Sequence, residues 1–243
     1  MVPADLIIYA FIAVGLVFWL RNTLGTHEEG DEPVNVRSPL PALDEDLPSA
    51  LKADVMDAPK TPEEQIADVI KNNKSGVIAI ESEQAEQGVA AIMGADKSFD
   101  LKFFFSAVQD VFVMVVEAFA EGDRDDLEQM LGEDVYAAFD QAISDREDAG
   151  LRAKSEVQSI REAHIIEAEL QGKQAFVTVR FVVDQISVTY DSDDKVVEGH
   201  PERAAHMKDI WVFSRNLKSK DPRWLVVETR GDFEGDNDII PNA

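Results

Sequence analysis

The sequence contains no cysteine. Disulfide frameworks, thiolate nucleophiles and cysteine-ligated zinc or iron–sulfur centres are therefore excluded. Positive charge is scarce as well: 23 lysines and arginines stand against 48 aspartates and glutamates, a formal charge of −25. A surface of that sign repels phosphate backbones, which argues against nucleic acid as a partner. No glycine-rich phosphate loop, dinucleotide fingerprint or nucleophile elbow occurs. The acidic runs Asp123–Asp126 and Asp191–Asp194 lack the glycine and distal glutamate of a calcium loop. Nothing in the sequence calls for a metal or a cofactor. Apolar residues, by contrast, make up 45% of the chain, enough for a core beneath an acidic surface.

One long uncharged apolar run stands out, Leu6 to Leu20, within the opening MVPADLIIYAFIAVGLVFWLRN. As a helix it covers roughly 22 Å, or about 28 Å when extended back to Val2, against a ~30 Å hydrocarbon core. Phe18 and Trp19 then lie at one interface beside Arg21. A cleaved signal peptide wants an early base and small residues at its cleavage site, and Phe18-Trp19-Leu20-Arg21 is bulky. A soluble core helix would carry a polar stripe, and this run has none. Residues 1–21 therefore read as a single-span membrane anchor. Arg21, the sole flanking cation, favours a cytoplasmic side for the rest of the chain. Residues 22–60 read as an acidic, proline-rich linker that buries too little apolar surface to offset its ordering entropy.

Order is expected to resume at Thr61. Thr61-Pro62-Glu63-Glu64 offers an N-cap, a proline at the first helical position and a glutamate three residues after the cap. Ile66, Val69 and Ile70 then share a face, and a second short helix near Ser82–Met93 groups Val89, Ile92 and Met93. These amphipathic helices fill 61–95; packing on the domain or on a partner suits their net negative charge better than lying on lipid. From Asp96 a long phenylalanine-rich helix ends at Gly122-Asp123, a short helix opens at Asp125 or Asp126, and a third runs from Glu133 to Ala149. Period-two segments come next at 155–170, 174–190, 204–215 and 224–230, joined by hairpin turns. A phase slip near Asp184-Gln185 predicts a bulge that bends the sheet. Helices followed by a curved antiparallel sheet predict an α+β domain over 96–230, with an acidic tail over 231–243.

Asp96-x-x-Phe99-Asp100, then Ala118-Phe119-Ala120-Glu121-Gly122-Asp123, then Val197-Glu198-Gly199, Asp209-x-Trp211-x-Phe213-x-Arg215 and Asp221-Pro222-x-Trp224 together resemble the C-terminal domain of the Tim44 family. Ser106 and Arg223 depart from the family pattern, where glycine and asparagine are expected. The resemblance implies a nuclear-transport-factor-two-like cone with an apolar pocket between helices and sheet; Phe112, Val116, Phe119, Val179 and Phe181 are the candidate lining. It also implies a membrane-associated adaptor for a protein partner such as a translocase, a chaperone or another membrane complex. An anchor followed by this domain resembles the alphaproteobacterial, inner-membrane branch of the family.

The same broad fold hosts enzymes, so the residues must be weighed for chemistry. His164 and His206 fall on strands without metal-ligand spacing, and His27 and His200 fall in polar segments. Asp209 shares a strand face with Trp211, Phe213 and Arg215, where an ion pair to Arg215 or Arg230 over the tryptophan is the plainest role. Trp211 and Trp224 read as packing residues. Arg215, Lys218, Lys220 and Arg223 form a basic loop in an acidic domain, a candidate contact for acidic lipid or a partner. The resulting expectation is a non-enzymatic, membrane-anchored adaptor. A small-ligand or enzymatic cone and a structural subunit of a membrane complex are the alternatives.

Overall fold

A computed structural model describes residues 60–73 and 75–231. The expected anchor, nearly all of the linker and the acidic tail beyond Gly231 lie outside the described residues. The described elements are α1 (Pro62–Asn72), β1 (Ile78–Ile80), α2 (Glu83–Ala95), α3 (Leu101–Glu121), α4 (Arg124–Met130), α5 (Glu133–Asp148), β2 (Arg152–Gln171), β3 (Gln174–Tyr190), β4 (Val196–Asn216) and β5 (Leu225–Gly231).

Capping chemistry fixes where the helices begin and end. Thr61 and Glu64 close a reciprocal capping box on α1, and Ser82 accepts a hydrogen bond from the Ala85 N–H at the start of α2. Asp100 caps α3 through the Phe103 N–H, and Gly122 ends that helix in the left-handed region at φ 79°. The next helix opens earlier than its acidic run suggests. Asp123, not Asp125 or Asp126, is the N-cap, accepting from the Asp126 N–H.

The strands form one sheet in the order β1-β2-β3-β4-β5. All pairs are antiparallel except β1 with β2, a three-residue parallel match of Ile78–Ile80 to Ala163–Ile165. The predicted bend exists, but the extra residues sit on neighbouring strands. Opposite β3, β2 skips register between Val157/Ser159, Ile160/Glu162 and Ile165/Glu167, while β3 and β4 shift between Ile186 and Val188. Each bulge leaves a residue without a partner and increases the local twist, which curls the sheet.

One face of the sheet carries the core. Ala163, Ile165, Val177, Val179, Phe181, Val183, Trp211 and Phe213 are buried with Phe104, Phe105, Val108, Phe112 and Val115 of α3. Ile66, Val89, Ile92 and Met93 join the same cluster, so the two amphipathic helices pack on the domain. Gly88 lets α2 approach β2 closely: a Cβ there would lie 1.9 Å from the Ala168 carbonyl oxygen. Among the described residues α3 is the helix long and apolar enough to cross a membrane, yet eight of its residues are buried by the domain. Phe103, whose type suggests a core position, is instead 72% exposed.

Candidate functional site

The aromatic residues expected to line a pocket meet one another. Phe112 stacks on Phe181 with ring centroids 4.5 Å apart and reaches Trp211 at 4.7 Å. Phe112, Val179 and Phe181 are wholly buried. Val116 and Phe119 sit at the partly buried margin of the core, where Phe119 contacts the Phe139 ring at 4.8 Å and lies beneath Arg146. Phe112, Val179 and Phe181 thus meet in the core, while Val116 and Phe119 lie at its margin. Shallow recesses occur elsewhere, one of about 440 Å³ between Asn73, Ile78, Gln109 and Val113.

Polar side chains gather on two other parts of the domain. On the outer face of the sheet, Asp184 accepts hydrogen bonds from the Ser159 hydroxyl at 2.9 Å and Arg161 Nε at 2.6 Å. His206 Nδ1 lies 2.6 Å from its other oxygen. Burial works to raise the Asp184 pKa, but the hydrogen bonds from Arg161, Ser159 and His206 and the Arg161 charge outweigh it, and the net direction is down. Arg161 is one of the residues that the β2 bulges leave without a register partner. Nearby, Glu81 accepts from Arg180 and contacts His164 Nδ1 at 2.9 Å, tying the end of β1 to the sheet. A carboxylate held ionised by an arginine is a weak proton acceptor, so Asp184 suits a structural role better than general-base work. Sequence inspection locates His164, His206 and the slip at Asp184, but not the long-range partners that join them.

At one end of the domain, three connections meet: the α2–α3 link, the β2–β3 turn and the β4–β5 loop. The Leu217 N–H donates to the Lys173 carbonyl, joining the two hairpins. Trp224 packs on Phe104 at 4.9 Å and on Phe99 at 5.8 Å, which brings the start of α3 to the same end. The basic loop read from sequence divides here. Arg215, expected opposite Asp209, makes a largely buried salt bridge to Asp96 at 3.2 Å instead. The Asp96 carboxyl is held below its usual range by the Ser98 hydroxyl first, aided by Arg215 and Lys218. Arg223 is engaged by Asp221, whose pKa falls to about 2 through those hydrogen bonds, and also donates to the Gln129 carbonyl. Arg230 pairs with Glu228. Asp209 is partly buried and has an interaction of its own. Trp211 and Phe213 are core residues and Trp224 packs at the core's edge, as their strand positions suggest. Lys218 and Lys220 remain exposed.

A family model described as Tim44-like domain matches residues 85–231. The probable mitochondrial import inner membrane translocase subunit tin-44 of Caenorhabditis elegans is 22% identical over 159 residues, covering 64% of this chain and 37% of that protein. The mitochondrial import inner membrane translocase subunit TIM44 of Homo sapiens is 23% identical over 140 residues, covering 56% of this chain and 31% of that protein. The chain thus spans about a third of the length of these relatives. Among solved structures, the intermembrane space region of chloroplast protein ARC6 aligns with 52% of this chain and 94% of that one, at 12% identity and a TM-score of 0.35.

Proposed function

The chain belongs to the Tim44-like domain family, and on that premise we propose that it is a membrane-anchored adaptor that holds a protein partner at a bacterial inner membrane. Its task is protein translocation or the assembly of a membrane complex. The observation that carries this reading is the extent of the family match: residues 85–231 run from the first turn of α2 to the end of β5. Relatives whose matches cover 64% and 56% of the chain are named as mitochondrial import inner membrane translocase subunits. The apolar run Leu6–Leu20 supplies the anchor, and residues 22–60 supply the reach, about 35 Å for a flexible tether of that length. The domain faces the cytoplasm, the side that Arg21 favours. Partner contact belongs to the outside of the domain, because its centre is occupied by the Phe112, Phe181 and Trp211 rings.

The test is fractionation of the full chain and of a version lacking residues 2–21. The full chain should sediment with membranes and resist alkaline extraction, whereas the shortened version should move to the soluble fraction. Equal behaviour of the two would contradict the anchor. Protease added to intact spheroplasts should leave residues 96–230 uncut; digestion there would reverse the topology.

A further inference from the structure

β4 is much longer than β5, the strand beside it. β5 pairs with it only from Asp209 to Ser214, whereas β3 continues along its other side past Lys208 to Ala204. Among the described residues, Ala204–Lys208 is therefore paired on one side and open on the other. Such an edge presents backbone donors and acceptors that invite a further strand. The opening is short. Between the pairs Ile186↔Ala204 and Val188↔Gly199, residues 200–203 of β4 stand opposite Ser187 alone, and this bulge ends the edge at Ala204. The two faces of the edge differ. His206 and Lys208 lie on the outer face, opposite Asp184 and Val182, while Met207 lies on the core face, opposite buried Val183 and 39% exposed.

The chain leaves β5 at Gly231, opposite Asp209 and heading along this edge. The residues that follow, 232–236, read Asp-Phe-Glu-Gly-Asp. Acids at every second position give a strand one charged face. In the register of β4 with β5, Asp232 falls opposite Lys208, Phe233 opposite Met207 and Glu234 opposite His206. We propose that residues 232–236 add to β5 and close the open edge of β4, so that the protein's own tail occupies a strand-addition site. The proposal stands apart from the adaptor reading. Opposite charges and apolar side chains facing each other across strands stabilise a pairing. No turn is needed, and the covalent link gives the tail a local concentration that a separate chain must match. The acids nearby leave the match intact: Asp184 is held by Arg161, Ser159 and His206, Asp209 lies beyond the site opposite Gly231, and Glu202 lies in the bulge. A second copy is the poorer occupant, since it brings another formal charge of −25 to the same place. With the tail in place the edge is barred to foreign strands, and a partner that binds by strand addition here must first displace it.

The absence of native cysteine allows the register to be tested by disulfide formation in the full chain, purified in detergent at low concentration. Ala205→Cys with Gly235→Cys places the two thiols opposite each other. Ala205→Cys with Ile239→Cys keeps the same face but separates them by about 13 Å along the strand. Under mild oxidant the first pair should close at least about tenfold faster than the second, and within one chain. Lys208→Glu in the first pair should slow closure about two- to fivefold, and adding Asp232→Lys should restore it. Hydrogen exchange supplies a measurement free of cysteine. In a Glu234→Pro variant of the full chain, the Ala204–Lys208 amides that face away from β3 should exchange about tenfold faster than in the wild type, because proline breaks the added ladder. Equal closure rates for the two cysteine pairs, or unchanged exchange in the proline variant, overturn the proposal. So does a disulfide found only between two chains, which assigns the edge to a second copy.

Discussion

The two faces of the sheet are held by different forces, and the contrast explains which positions the fold depends on most. The helix-facing side is a continuous apolar cluster in which Phe112, Phe181, Trp211 and Phe213 touch ring to ring. The outer side is organised around carboxylates, Asp184 held by Arg161, Ser159 and His206, and Glu81 held by Arg180 and His164. Burial of each large aromatic side chain contributes about 1.5–3 kcal/mol. Partly solvated ion pairs contribute far less, because water screens them and side-chain entropy opposes them. The inner face sets stability, and the outer face fixes curvature by seating the bulges.

That contrast can be broken from the inside first. Phe112→Ala should cost about 4 kcal/mol by leaving a cavity against Phe181 and Trp211, measured as a shift in urea midpoint at unchanged slope; a cost below about 1 kcal/mol would show that the ring cluster is not the main support. Gly88→Val should cost about 3 kcal/mol, since the new side chain meets the Ala168 carbonyl. A well-folded valine variant would mean that α2 can stand away from β2.

The outer face sharpens the comparison through a smaller effect. Asp184→Asn should cost about 1–2 kcal/mol at neutral pH, because its arginine partner is half exposed. The wild-type carboxyls of Asp184 and Asp96 are held below their usual range when folded. The unfolded chain therefore binds their protons more readily. The stability they supply is fully present above about pH 4 and is lost as the pH falls through the folded values. Asp184→Asn should flatten that acid-side loss in pH-dependent urea titrations, and an unchanged slope would remove Asp184 from the acid response. Smallest of all, Lys220→Gln should alter stability by less than about 0.5 kcal/mol, since the side chain is exposed and makes no salt bridge. A larger loss would give this lysine a structural role.

Much of the architecture is legible where local chemistry decides it. The capping box at Thr61, the stop at Gly122, the full extent of β3 and the packing stripe of Val89, Ile92 and Met93 all follow from spacing and composition. β4 begins at Val196, eight residues before its clear alternation, because a long antiparallel partner holds exposed residues that carry no pattern of their own. β1 is illegible for a related reason. Three residues paired in parallel with a distant strand leave no periodic trace. The type of Phe103 points to the core, whereas the helical phase turns it outward. The site residues fare differently again. Trp211 and Phe213 lie where their strand parity puts them, but Arg215 pairs with Asp96 and not with Asp209, since ion pairing depends on which loops meet in space. For the same reason, sequence alone does not join Lys173 to Lys218 and Lys220; the side-by-side hairpins do.

The most direct test of the adaptor claim is quantitative crosslinking of the full chain in native membranes, beside a version that ends at residue 95. The account predicts one recurrent protein partner attached to positions within 96–230 and missing from the truncated form. A full chain that remains uncrosslinked, or whose crosslinks persist without residues 96–230, would contradict it.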